Sequence, residues 1–452
     1  MDSSEDNVVT TTRCTIDCPA RKPLAACLAL LLGFGVLPPC SAFTVRTVTN
    51  CNDNGPGSLR AAMLASQDQD SVDLSSLVCS TITLTTGALP AAGTLLLTAF
   101  NRAAPVVIDG GRYQGRHDRV IVHNGLNGHL YLSNVSVANA DYSGPDPRGG
   151  CILSSGSVNV GGGMVKNCHV SGTGIAAKGG GVYAVGNVTP FNGAIISNNI
   201  ASAINANAYG GGIFAGGFTP QRSTISDNVA EASPGFVGLG GGAYAFSVLI
   251  EQTTLSGNQA SRGGALVFHP GSAPFAPRFI VNSTISGNTA SNSTGGVLAY
   301  GSLYVSNSTI AFNSSTIGPA GLYVAGATNF LQLDSSIIAL NTVAGVMFDL
   351  DAAGPITGAH NLVTAGLSAP GDTLSSCPRM APLRNYGFLT QTHALLPGSP
   401  AFDAGSNPNN QVNDQRKLPR TVGAAADIGA FEVQAGERFD EVFNGGFENR
   451  CQ

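Results

Sequence analysis

The chain has 452 residues, 59 of them Gly and none Trp; 11% are charged and the formal net charge is −5. That length allows one large core or two domains, and the mild acidity without runs of like charge excludes a basic nucleic-acid-binding face. An apolar fraction of 43%, arranged in patterned runs, excludes a disordered chain and points to a folded, β-rich protein.

At the N-terminus, Arg21 and Lys22 precede an apolar run from Leu24 to Leu37 that ends at Cys40-Ser41-Ala42. A positive flank, a run too short to span a bilayer and a small-residue cleavage site make residues 1–42 a signal peptide with a long leading region. Residues 43–434 are then expected to fold, and 435–452 to form a tail. Removal of the leader takes Cys14, Cys18, Cys27 and Cys40 with it. Cys51, Cys79, Cys151, Cys168, Cys377 and Cys451 remain, an even number suited to disulfides in an exported chain. Near neighbours along a solenoid suggest Cys51–Cys79 and Cys151–Cys168; the pairing of Cys377 and Cys451 stays open. The spacings match no zinc site.

The turn cluster Cys51–Ser58 leads into Leu59–Ser66, where Leu59, Ala62, Met63 and Ser66 share one helical face and Ser58 is positioned as N-cap. This is read as a short helix plugging an open end within an N-terminal cap, 43–71. Coils are expected over 72–380, irregular up to about residue 139.

From there two motifs alternate. The first, Ile-Ser-x-Asn, ends at Asn199, Asn228, Asn258 and Asn288, with degraded copies ending at Asn313 and Asn341; the Asn-to-Asn steps are 29, 30, 30, 25 and 28. The second is a glycine cluster followed by apolar residues: Gly179–Tyr183, Gly210–Phe214 and Gly240–Tyr244, with looser copies at Gly263–Leu266, Gly295–Leu298 and Gly321–Tyr323. Short alternating runs bounded by Gly or Asn are strands, and the glycine density is incompatible with a helical repeat. A unit of about 30 residues is short for a propeller blade. The expected fold is therefore all-β: a right-handed parallel β-helix whose asparagines stack as an amide ladder. In this reading Asn also supplies left-handed turns.

Tyr183, Phe214, Tyr244 and Tyr323 each fall two positions after a glycine cluster, with Leu266 and Leu298 at the matching places. Facing outward, this aromatic row would suit sugar rings; facing inward, it would be core. Further along, Asp403, Asp414, Arg416, Arg420, Asp427 and Glu432 alternate acids with arginines. The region 381–434 is read as a salt-bridged C-terminal coil or cap.

The glycine–asparagine alternation resembles the repeats of polymorphic outer membrane proteins and other right-handed parallel β-helix repeat proteins. Gly398–Gly405 and Asp427–Glu432 are similar to the choice-of-anchor Q region that commonly follows such repeats, and Gly57-Ser58-Leu59-Arg60 to the opening of the same proteins. Phe443–Glu448 resembles an ending seen on exported chains. The resemblance implies a secreted or cell-surface setting, at a Gram-negative outer surface, and no chemistry. Nothing after residue 434 is long enough for a membrane β-barrel, so no transmembrane anchor is expected in the mature chain.

Lyases and glycosidases on β-helices need carboxylates clustered on adjacent coils. Glu251 and Asp334 share a phase but lie three coils apart, about 14 Å, beyond the roughly 5–9.5 Å of glycosidase pairs. Asp349 and Asp351 form the closest acidic pair, without a neighbouring Lys, Arg or His. His169, His269 and His360 look isolated, and no nucleophile elbow or P-loop occurs. No catalytic residue, metal or cofactor is assigned. The expectation is a non-catalytic, adhesin-like surface protein that binds a neutral glycan or another surface component. The alternatives are a β-helix polysaccharide lyase or glycoside hydrolase, or a structural stalk.

Overall fold

The computed structural model describes residues 9–10, 43–270, 278–366 and 369–437. The segment expected to be a signal peptide, apart from Val9 and Thr10, and the expected tail from Arg438 lie outside them. The chain forms the expected all-β parallel β-helix, with about 11 turns and, among the described residues, one α-helix, α1, Leu59–Ala65. Ser58 caps α1 by accepting the Ala61 N–H at 3.2 Å, and Leu59 and Met63 are buried. Asp53 accepts from Arg60 and from the Thr85 and Thr86 amides; against the desolvation of its site, these donors hold its carboxyl at about 2. The Cys51–Cys79 disulfide fastens the same corner.

Three parallel sheets wrap the core. Each coil supplies one short strand to the second sheet, and the inward residues stack in register: Ile196, Ile225, Leu255, Ile285, Ile310 and Ile338 form one column. Every residue of that column is buried. Alternation then turns Thr224, Ser226, Thr254, Ser256, Thr284 and Ser286 outward, as period two requires.

The asparagine ladder is continuous. Asn199 Nδ2 donates to Asn228 Oδ1, and the same bond repeats through Asn258, Asn288, Asn313 and Asn341 at 2.8–2.9 Å. Each Nδ2 also donates to a carbonyl of the preceding coil, as Asn258 does to Ile225. These amides are fully buried, so the repetition satisfies groups that would otherwise be stranded. The left-handed residue is the one before each ladder position and not the ladder Asn itself: Asn198, Asp227, Gly257, Gly287, Phe312 and Leu340 all have φ between 55° and 69°. The ladder Asn has to point its amide along the column, so its neighbour takes the turn.

The glycine clusters complete this packing. Gly210 has φ +64°, and a Cβ on Gly212 would lie 2.9 Å from Asn228 Cγ. The position of Gly212 is occupied by Cys151 in an earlier coil and by Asp349 in a later one. Cys151 bonds Cys168, which stands where the ladder would have its next Asn. Asp349 Oδ1 accepts from both the backbone N–H and the Nδ2 of Asn341. A disulfide closes one end of the amide column and a buried carboxylate the other.

The C-terminal stretch runs along the side of the solenoid. Gln252 reaches the Asp414 carbonyl, Thr284 the Gln415 side chain and Asn307 the Ser406 carbonyl. Of the acids and arginines anticipated there, two pairs form, fully buried, Arg416–Asp414 at 3.0 Å and Arg420–Glu432 at 2.9 Å, while Asp403 and Asp427 accept backbone amides. This segment covers the outer face of the second sheet where that face becomes apolar, at Ala311, Ile337 and Ala339.

Candidate functional site

The C-terminal segment leaves the earlier coils of that face uncovered, and a groove of about 760 Å³ opens at the boundary. One wall is the outward hydroxyl column Thr224, Ser226 and Ser256 with Asp227; the other is Leu383, Asn385, Leu389 and Gln391, with Phe312 between. Ser226 and Ser256 pair in register on consecutive coils. At the inner end Ser286 Oγ lies 2.8 Å from His393 Nε2, while His393 Nδ1 lies 2.7 Å from the Ala381 carbonyl. A carbonyl can only accept, so Nδ1 carries the proton and Nε2 accepts from Ser286. Burial lowers His393 to about 4, which leaves it neutral at pH 7 and a weak base. The pair joins the segment to the sheet.

The aromatic row stacks outside the main core. Tyr183 and Phe214 lie 5.2 Å apart at 5°, and Phe214 and Tyr244 5.3 Å apart at 1°. Tyr209 and Phe246 close over them edge-on, leaving Phe214 8% and Tyr244 9% exposed. Burial raises the Tyr244 phenol to about 12. The ring faces cover one another, and Arg148 lies 5.0 Å from the remaining Tyr183 ring, so Tyr183, Phe214 and Tyr244 present no open face to a sugar. Beyond Tyr244 the row continues through Val267 and Leu298 to Tyr323. Leu266, expected in the row, faces the core instead: Ala265 takes the place of the third glycine, so a count of glycines slips by one.

The acids stand apart. Glu251, Val281, Ser306 and Asp334 form one register column, which keeps the two carboxylates three coils apart. Asp349 ends the ladder while Asp351 turns to its own neighbour's amide. Burial raises the Asp349 carboxyl, opposed by Thr364 and Asn341.

His169 is not isolated. Its Nδ1 lies 2.8 Å from Asp141 Oδ1 and its Nε2 2.8 Å from Ser202 Oγ, and His117 takes the other Asp141 oxygen at 3.1 Å. These residues come from successive coils, at separations of 28 and 33; alignment of non-motif positions on the repeat period would have brought them together. The arrangement has the order of a nucleophile, base and orienting acid. However, Ser202 sits in mid-strand, paired to Ser171 on one side and Glu231 on the other. A carboxylate beside the hydroxyl opposes a developing oxyanion, where acyl transfer requires donors. The set acts as a clamp between coils.

Among the described residues no group of His, Cys, Asp and Glu could hold a metal ion, and no helix is long and apolar enough to cross a membrane. No protein-family model, curated protein or solved structure matches this chain.

Proposed function

We propose that this is an exported surface β-helix, similar to the polymorphic outer membrane protein repeats, that binds a neutral glycan in the lateral groove. The observation that carries this reading is the groove itself: a row of hydroxyls faced by Leu383, Leu389 and Phe312, with Asp227 the one charged residue among its described lining. Hydroxyls that hydrogen-bond ring substituents, opposite apolar surface for the C–H faces, suit an uncharged sugar chain. Two disulfides support an oxidising destination. The lyase and hydrolase alternatives need acids and bases on neighbouring coils, and the two closest arrangements are otherwise engaged, Asp349 in the ladder and Ser202 beside Glu231. A stalk would need no groove.

The test is a glycan array probed with the secreted protein. Binding to neutral oligosaccharides is expected, and Ser256→Trp, which fills the groove without touching the core, should weaken it at least tenfold while leaving the melting temperature unchanged. Unchanged binding by that variant, or capture of polyanions alone, would overturn the reading.

A further inference from the structure

The lateral groove is closed at one end. Its floor is the outer face of the second sheet, where Ile195, Thr224, Thr254 and Thr284 form one register column and Ser197, Ser226, Ser256 and Ser286 the next. Ile195, Thr224, Ser226 and Ser256 are half-buried, whereas Thr254 and Thr284 are fully buried and Ser286 is 3% exposed. The C-terminal segment makes the difference: the Gln391 carbonyl accepts from Thr254, Thr392 bonds Thr284 and His393 accepts from Ser286. In the other direction Met164 and Lys166, in register with Ile195 and Ser197, are half-buried again, so the groove opens toward the N-terminal coils. Along its side runs the row of left-handed turns, in which Asp227 is followed by Gly257, Gly287 and then Phe312. The Asp227 carboxylate leans over Gly257, where a Cβ would collide with its Oδ1, and a Cβ on Gly287 would meet nothing within 4 Å. Two rungs without side chains thus leave a notch between a carboxylate and a phenyl ring three coil steps apart, about 14 Å. Phe312 lies 5.0 Å from the His393 ring, which ties this end wall to the C-terminal segment.

We propose that this notch receives the non-reducing terminal sugar of the glycan, with Asp227 accepting its hydroxyls and Phe312 stopping the chain. The proposal rests on the neutral-glycan reading of the groove and narrows it from a glycan to a glycan end. An ionised carboxylate has two oxygens that accept strong hydrogen bonds from neighbouring hydroxyls. A terminal ring offers one hydroxyl more than an internal ring, whose corresponding oxygen is committed to a linkage. A chain passing through would have to continue beyond Phe312, where the floor residues Ala311 and Ala339 are fully buried in the cluster formed with the C-terminal segment. Surface glycans are attached through their reducing ends, so the end that they present is the one this notch would take.

The test is a set of linear glucan, mannan, galactan, xylan and N-acetylglucosamine hexasaccharides, each coupled to a surface once through its reducing end and once through its non-reducing end, and probed with the secreted protein. Binding at least tenfold stronger where the non-reducing end is free is expected. Gly287→Asn fills the notch in a turn conformation that Asn198 adopts three coils earlier, at φ 55°, and should weaken that binding at least tenfold with the melting temperature unchanged. Equal binding in both couplings, a preference for the free reducing end, or undiminished binding by Gly287→Asn would overturn the end-binding proposal and leave the glycan reading standing. No binding to any hexasaccharide in either coupling would defeat the glycan reading and this proposal with it.

Discussion

Asn258 shows what a single repeat residue does. Its Nδ2 serves Ile225 and Asn288, and its Oδ1 receives the backbone and side-chain N–H groups of Asn228. Asn258→Ala strands several buried groups together, and we expect a loss of about 2–4 kcal/mol in urea unfolding. Asn258→Asp should cost more, because it sets a carboxylate against the Asn288 oxygen. His393 gives a pH signature. Its folded pKa, about 4, lies below the free value of 6.5, so the unfolded chain binds the proton more readily between those limits. The stability it contributes is complete above pH 6.5 and is lost as pH falls toward 4. Burial raises Asp427 and Glu432 in the same segment, which work in the opposite direction. The stability advantage of wild type over His393→Gln isolates the histidine, and it should shrink steadily from pH 6.5 to pH 4.5.

The glycine–asparagine contact is the element that repeats, and the Cys151–Cys168 disulfide is one copy of it in different chemistry. Closing a loop of 17 residues stabilises by about 3 kcal/mol in the chain-entropy view, so Cys151→Ala/Cys168→Ala should lose that amount. Cys151→Gly/Cys168→Asn should lose less, because it extends the ladder by a rung; chemical denaturation of both variants decides. This equivalence was hidden in the sequence, where a cysteine pair and a Gly–Asn pair look unrelated. The repeats themselves were legible, because each position in a coil of about 30 residues is sampled several times. So was α1, whose Ser58 cap and apolar face are local signals. The path of the C-terminal segment was not: the bonds that fix it to the coils join residues 71 to 162 apart and recur nowhere. The groove depends on that path and was missed with it, whereas the aromatic row, built from the repeat, was found but faces itself.

Because each coil contacts chiefly its neighbours, stability in the whole solenoid adds up coil by coil. Removal of residues 199–227 joins Asn198 to Asn228, which takes out one whole ladder step of 29 residues and restores the register. This deletion should fold with a cooperative melt and an unchanged β-sheet circular dichroism shape, whereas removal of half as many residues should not. The ladder is also oriented. In each rung the amide oxygen faces the N-terminal neighbour and one amide hydrogen the C-terminal neighbour, so the rungs' dipoles add head to tail, much as peptide dipoles do in a helix. The positive end of that sum falls on Asp349, whose carboxyl oxygens accept from Asn341, Thr364 and Ala365. A polarised column of this kind has a plus end and a minus end that cannot be exchanged: coils can be gained or lost between them, but two such solenoids can be spliced only in the same direction.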